Sequence, residues 1–197
     1  MTDAQKAMKL LEENHGYLTS RSARAQGIHL SALTRLTQQG HVARAAQGLY
    51  VLADILPDPL IVAQHRFAQG VFSHETALYL HDFSDRVPLR MMMTVPSGWG
   101  SPYQTDPDMQ FFYRKRSKFE MGLSRVPTKA GPQIRCYDLE RTICDCVYDI
   151  NKLDRDIVMT ALKKYMKSKE SKPSKLLSCA QTMGIRDKIF QYMEVLS

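Results

Sequence analysis

The chain lacks several things that would have named its chemistry at once. Among 197 residues there is one tryptophan and there are four cysteines. No stretch approaches the roughly 20 consecutive apolar residues that span a bilayer, so no membrane partner is expected. The start, Met1-Thr2-Asp3-Ala4-Gln5-Lys6, lacks a basic segment followed by an apolar block; no secretory leader is expected, and a cytoplasmic location is. Cys136, Cys144, Cys146 and Cys179 make no Cys-x-x-Cys pair and no Cys/His cluster at zinc spacing. In a reducing compartment they read as small buried apolar residues rather than a disulfide framework. Neither the glycine-rich phosphate loops nor the Gly-x-Ser-x-Gly elbow of a hydrolase is found, so no cofactor and no enzyme are expected. Finally, no acidic residue occurs between Glu13 and Asp54.

What is present suffices for a packed core. Apolar residues make up 44% of the chain and charged residues 24%, close to globular averages and far from those of disordered chains. Lys plus Arg number 27 against 20 acids, and the pI near 9.3 favours a polyanionic partner.

Patterning divides the chain in two. Ala4, Ala7, Met8, Leu10 and Leu11 recur at helical spacing and predict a first helix, with Gly16 as its C′ residue. Tyr17-Leu18 reads as a short link, and Thr19 or Ser20 as the cap of a second helix, Ser20 to Gln26, stopped by Gly27. Leu30, Leu33 and Leu36 line one face of a third helix, His29 to Gln39. Val42-Ala43-Arg44, a turn through Gly48, and Leu49-Tyr50-Val51-Leu52 read as a hairpin. Helix, helix, turn, helix, hairpin is the order of a winged helix-turn-helix. Asp54 to Pro59, with two aspartates and two prolines, marks a boundary, so the expected domains are 1–56 and 57–197.

Beyond that boundary, Leu60 to Ala68 reads as helix, Val71-Phe72 as a short strand, and Ser73 as the cap of a helix with Glu75 in its first turn. Leu89 to Val95 and Met109 to Tyr113 are strand candidates flanking a loop, Pro96 to Pro107. Shorter strands are expected near Leu123 to Val126 and Ile134 to Tyr137, then helices from Asp138 onward. The expected fold class is α+β: a winged helix-turn-helix, then a mixed α/β domain with a helical C-terminus.

The first module suits duplex DNA, because a helix fits the major groove, where base edges carry a distinguishable donor and acceptor pattern. The exposed face of the third helix offers His29, Ser31, Thr34, Arg35 and Gln38, with Arg35 able to contact guanine through both guanidinium nitrogens. Arg21 and Arg24 on the second helix, and Arg44 and Gln47 in the wing, are placed to reach phosphates. In the second part, Arg114, Lys115, Arg116 and Lys118 form a basic block after Phe111-Phe112-Tyr113 and are candidate secondary nucleic-acid contacts. Lys163, Lys164, Lys167, Lys169, Lys172 and Lys175 form another run, which reads first as solvated surface, with contact to DNA or RNA as the competing reading.

Three further features read as structural. His74 and His81 lie seven residues apart, about 10 Å along a helix, and do not make a metal pair, so no metal is expected. Asp138, Glu140, Asp145 and Asp149 beside Arg141 read as surface ion pairs. Trp99, between Gly98 and Gly100, reads as a plug over the core.

Gly27-Ile28 through Gly40, Val42 to Arg44 and Gly48-Leu49-Tyr50-Val51 resemble the winged-helix start of AbiEi-type antitoxins. Phe72-Ser73-His74-Glu75-Thr76-Ala77-Leu78-Tyr79-Leu80-His81, Ser84 to Pro88, Thr94-Val95-Pro96 and Tyr137 to Asp145 are similar to that family's antitoxin domain. The resemblance implies a bacterial type IV toxin-antitoxin, abortive-infection system. It further implies repression of its own operon through inverted-repeat DNA. The toxin to be countered would be a nucleotidyltransferase, met without a stable complex, and a monomer or weak dimer on DNA is expected. The alternative is a stand-alone regulator whose second domain senses a ligand or a protein. An enzyme with a DNA-binding appendage finds little encouragement in the residues.

Overall fold

The structure is a computed structural model that describes residues 1–100 and 106–196. It divides into two compact units, Met1–Ala68 with Pro127–Ile134, and Gln69–Val126 with Arg135–Ser197.

The first unit opens with α1 (Asp3–Glu13), started by a reciprocal capping box. The Thr2 hydroxyl accepts from the Gln5 amide, and the Gln5 side chain accepts from the Thr2 amide. The helix stops at Asn14, two residues before the expected glycine. His15 takes the left-handed C′ conformation at φ 54°, and the Gly16 amide reaches back to the Leu11 carbonyl at 2.7 Å. Tyr17 and Leu18 are more than a link: Tyr17–Thr19 forms β1, antiparallel to β3 (Leu49–Leu52). With β2 (Val42–Ala46) they make a three-stranded sheet in the order β1-β3-β2. Three residues are too few to show alternation, so this strand was invisible to periodicity. Between the strands lie α2 (Ser20–Ala25), capped by the Thr19 hydroxyl on the Ser22 amide at 3.0 Å, and α3 (Leu30–Gln38). Ala7, Leu11, Leu18, Ala23, Ile28, Leu33, Leu36 and Val42 are buried together. Each large apolar side chain in that core contributes about 1.5–3 kcal/mol. Helix α4 (Pro59–Arg66), capped by Asp58 on the Leu60 amide at 2.8 Å, falls within this unit.

In the second unit a five-stranded mixed sheet runs β6-β5-β4-β8-β7. Its strands are β4 (Val71–Phe72), β5 (Met91–Pro96), β6 (Met109–Arg114), β7 (Leu123–Pro127) and β8 (Gln133–Tyr137). β5 is antiparallel to β4 and parallel to β6, and β4 is parallel to β8. β5 begins at Met91 rather than Leu89, which is fully exposed. The expected loop from Pro96 to Pro107 lies partly outside the described residues. The helices are α5 (His74–Leu80), α6 (Arg116–Phe119), α7 (Leu139–Tyr148), α8 (Arg155–Lys167), α9 (Pro173–Met183) and α10 (Arg186–Leu196), with a 3₁₀ turn at Ile150–Lys152. Helix α7 is central: every residue from Leu139 to Val147 is buried. Leu78, Ile143, Val147, Val158, Leu162, Leu176 and Ile189 from α5, α7, α8, α9 and α10 form one apolar core. The chain is mixed helix and sheet, the α+β class that its patterning predicts. No helix among the described residues is long and apolar enough to cross a membrane.

Candidate nucleic-acid interface

Helix α3 presents two chemically different faces. Ala32, Leu33 and Leu36 are buried, whereas Ser31, Thr34, Arg35 and Gln38 are exposed at i, i+3, i+4 and i+7 spacing, which places them on one side. The Thr34 hydroxyl donates to the Leu30 carbonyl at 3.3 Å, leaving its oxygen free to accept. His29 holds the N-cap position with an exposed side chain that makes no cap hydrogen bond. Its amide donates instead to Oδ2 of Asp3, at 3.0 Å, across 26 residues of sequence. Asp3 was not legible as part of this region, because nothing local links the first turn of α1 to the start of α3.

Arg21 and Arg24 are exposed on α2, and Arg44 and Gln47 on the hairpin. The hairpin turn is fixed from both sides. The Gly48 carbonyl accepts from the Ser20 amide at 2.8 Å, and the Gln47 carbonyl lies 2.9 Å from Nε2 of His65 on α4. Gly48 sits at φ 75°, a conformation a side chain would strain. The hairpin is therefore short and held, so its Arg44 and Gln47 side chains extend from a defined base. All nine sequence-chosen residues of the first module are exposed.

The basic block of the second unit divides differently. Lys115 and Arg116 are exposed, and Arg116 pairs with Glu120 at 2.8 Å. Lys118 is half-buried, its Nζ donating to the Met183 carbonyl at 3.3 Å. Arg114 is turned inward: its Nη2 donates to Oδ1 of Asp145 at 3.3 Å and also to Oδ2 of Asp149, and its guanidinium stacks over Tyr148 at 4.7 Å. A side chain held in that way is not offered to phosphate, which corrects the grouping of the four.

The acids of α7 require a second correction. Asp145 is fully buried, and Glu140 and Asp149 nearly so, rather than lying on the surface. Arg141, 1% exposed, donates Nε and Nη2 to the two oxygens of Asp145 at 2.8 and 3.3 Å, and Nη1 to the carbonyls of Lys118 and Met121. Gly122, at φ 73°, lets Arg141 approach; a Cβ there would stand 2.5 Å from Cβ of Arg141. Glu140 accepts from the Tyr165 hydroxyl at 3.3 Å and from Nζ of Lys175 at 3.2 Å. Helical spacing was read correctly, but the surrounding helices and β6 that cover α7 were not visible in it.

His74 joins this network. Its Nε2 lies 3.2 Å from Oδ2 of Asp149, its Nδ1 lies 2.8 Å from Oγ of Ser73, and its ring stacks on Phe112 at 3.6 Å. Ser73 holds the N-cap position of α5 but makes no cap hydrogen bond; its oxygen accepts from the Thr94 hydroxyl at 2.9 Å. A proton on Nε2 then satisfies the whole chain, Thr94 to Ser73 to His74 to Asp149. Serine, histidine and aspartate in contact invite comparison with a hydrolytic triad, yet Ser73 and His74 have no exposed surface. No substrate carbonyl can reach that hydroxyl, so the arrangement ties α5 to β5 and to the end of α7. Burial opposes ionisation of Asp149, but hydrogen bonds from His74 and Arg114 and the charge of Arg114 outweigh it and hold the carboxyl well below the usual range.

His81 is separate, its Nε2 donating to the Tyr137 carbonyl at 2.7 Å. No group of His, Cys, Asp and Glu among the described residues could hold a metal ion. All four cysteines are buried. Trp99 is half-buried, packed on Phe111 with ring centres 5.1 Å apart.

Comparison with curated proteins returns no match. Among solved structures, the fold is similar to the crystal structure of the RV2827C protein from Mycobacterium tuberculosis. The TM-score is 0.62 at 11% identity, covering 98% of this chain and 80% of that one. Residues 5–53, from α1 to the end of the hairpin, match the model of the family described as "Transcriptional regulator, AbiEi antitoxin".

Proposed function

We propose that the chain is an antitoxin of a toxin-antitoxin system that also represses its own operon, and that it works by binding rather than catalysis. In this reading residues 1–56 are a winged helix-turn-helix that reads inverted-repeat DNA. α3 lies in the major groove, Arg35 contacts a base edge, and Arg21, Arg24 and Arg44 position the module on phosphates. The observation that carries it is the exposed polar face of α3, flanked by exposed arginines of α2 and the hairpin, within the segment that matches the regulator family. Residues 57–197 supply the antitoxin function against a nucleotidyltransferase toxin in a phage-defence setting, with Lys115, Arg116 and Lys118 as secondary nucleic-acid contacts.

The test is a footprint and gel-shift titration on DNA upstream of the gene at two salt concentrations. It compares the native chain with an Arg21→Ala, Arg24→Ala, Arg35→Ala variant. Protected inverted repeats that vanish in the variant support the reading; weak binding that salt erases equally in both overturns it. Rescue of cells that express a cognate nucleotidyltransferase toxin separates an antitoxin from a stand-alone regulator with a sensing second domain.

A further inference from the structure

Strand β6 lies at the edge of its sheet, paired on one side by β5, and its two faces meet different surroundings. Phe112 stacks on His74, and Arg114 is drawn to Asp145 and Asp149, so both point toward α5 and α7. Side chains alternate along a strand, so Phe111 and Tyr113 share the opposite face, about 6.6 Å apart. Tyr113 is 44% exposed. Among the described residues its ring makes no ring contact and its hydroxyl no hydrogen bond. Trp99, whose amide donates to the Pro96 carbonyl at 3.0 Å, packs on Phe111 and extends the aromatic row. Where β6 ends, Lys115 and Arg116 are exposed. The contact of Arg116 with Glu120 uses Nε and leaves both Nη groups. From Met109 to Phe119 the sequence holds four cations and no acid.

We infer that this edge is a binding site for single-stranded nucleic acid. Unstacked bases lie on Tyr113 and its aromatic neighbours, and the phosphate backbone runs to Lys115 and Arg116. A duplex keeps its base faces inside the stack and shows only their edges along its length, whereas an open strand offers a π-face at every base. RNA and single-stranded DNA share that chemistry. A peptide strand added to the edge would use the β6 backbone and be indifferent to the rings and cations, so the side chains favour a nucleic acid. This assignment rests on the reading of Lys115 and Arg116 as nucleic-acid contacts, and it gives them a ligand distinct from that of α3.

The test uses the full chain with oligothymidylate, oligouridylate and a scrambled duplex, each about 15 nucleotides or base pairs long, across a salt series. The variants are Tyr113→Ala, Tyr113→Phe, the double Lys115→Ala, Arg116→Ala, and the triple Arg21→Ala, Arg24→Ala, Arg35→Ala. Anisotropy of labelled strands reads affinity. The emission of Trp99, the one tryptophan of the chain, reads occupancy of this edge with unlabelled strands. Binding of at least one oligonucleotide with a change in Trp99 emission is expected, and preference for oligouridylate would assign contact to the 2′-hydroxyl. Tyr113→Ala should weaken binding at least about fivefold, while Tyr113→Phe, which keeps a ring face, should stay within about twofold. The double variant should lower the salt slope by roughly 1.4, the share of two phosphates on a single strand. The triple variant should bind both oligonucleotides as the native chain does.

Absence of binding to either strand at low salt, unchanged Trp99 emission at saturation, or loss of binding in the triple variant overturns the assignment. So does equal weakening of the scrambled duplex by Tyr113→Ala, because open bases would then not be the ligand. If Tyr113→Ala binds as the native chain while the double variant does not, Lys115 and Arg116 remain nucleic-acid contacts and the stacking site alone is lost. If neither change matters, both readings fail.

Discussion

Asp149 takes its hydrogen bond from Nε2 of His74 at 3.2 Å although 75 residues separate the two, and the contact joins the start of α5 to the end of α7. His74 sits at φ 53°, a left-handed conformation that costs a non-glycine residue of order 1 kcal/mol or more. The Ser73, Asp149 and Phe112 contacts hold it there. Because Arg114 reaches the same carboxylate oxygen, one acid anchors a helix start, a helix end and the edge strand β6.

That geometry sets an acid limb of stability. The folded-state carboxyl of Asp149 titrates below its unfolded value, so its contribution is present above the unfolded value near 4 and is lost as pH falls toward the folded one. Urea midpoints should therefore drop between about pH 4 and pH 2, and Asp149→Asn should flatten that slope. An unchanged slope in the variant would place the acid sensitivity elsewhere.

Asp145 is the stronger structural test. Replacing it with alanine leaves Arg141 and Arg114 buried without one of their carboxylates, at a cost of about 3–5 kcal/mol. Arg116→Ala, which removes only the exposed pair with Glu120, should change stability by at most about 1 kcal/mol. Equilibrium denaturation of both compares them directly, and similar losses would contradict the assignment of a buried network.

On the DNA side, Arg35→Ala should relax sequence preference by about 1–3 kcal/mol if the side chain makes a bidentate base contact. Competition between the upstream site and single-base variants reads that change. A uniform loss of affinity across all sequences would make Arg35 a phosphate contact instead.

The thiols give a cheap probe of the second unit. Burial pushes Cys136 and Cys146 well up, and hydrogen bonding to Cys179 together with burial does the same for Cys144. All four are buried away from solvent, so a thiol-specific reagent should label none of them quickly in the native chain and all four in denaturant. Rapid native labelling of any one would show that its helix or, for Cys136, strand β8 opens locally.

The module at the N-terminus was largely legible in the sequence because local rules govern it. Thr19 and Gly27 bracket α2, Leu30, Leu33 and Leu36 set the buried face of α3, and whatever lies opposite a clean apolar stripe must be exposed. Arg35 and Gln38 could therefore be chosen by spacing alone, and so could the α+β class from the succession of patterns. Position in space between distant segments had no such signal. Whether Asp145 and Asp149 face water or a buried arginine depends on what covers α7, and α8, α9, α10 and β6 come from elsewhere in the chain. For the same reason Arg114 looked like one cation among four until β6 was set against α7, and Asp3 looked like an ordinary first-turn acid until α1 met α3. Periodicity determines which face of an element is buried; only the packing of remote elements decides which charges find partners there, because desolvation and pairing depend on neighbours that are close in space and far apart in sequence.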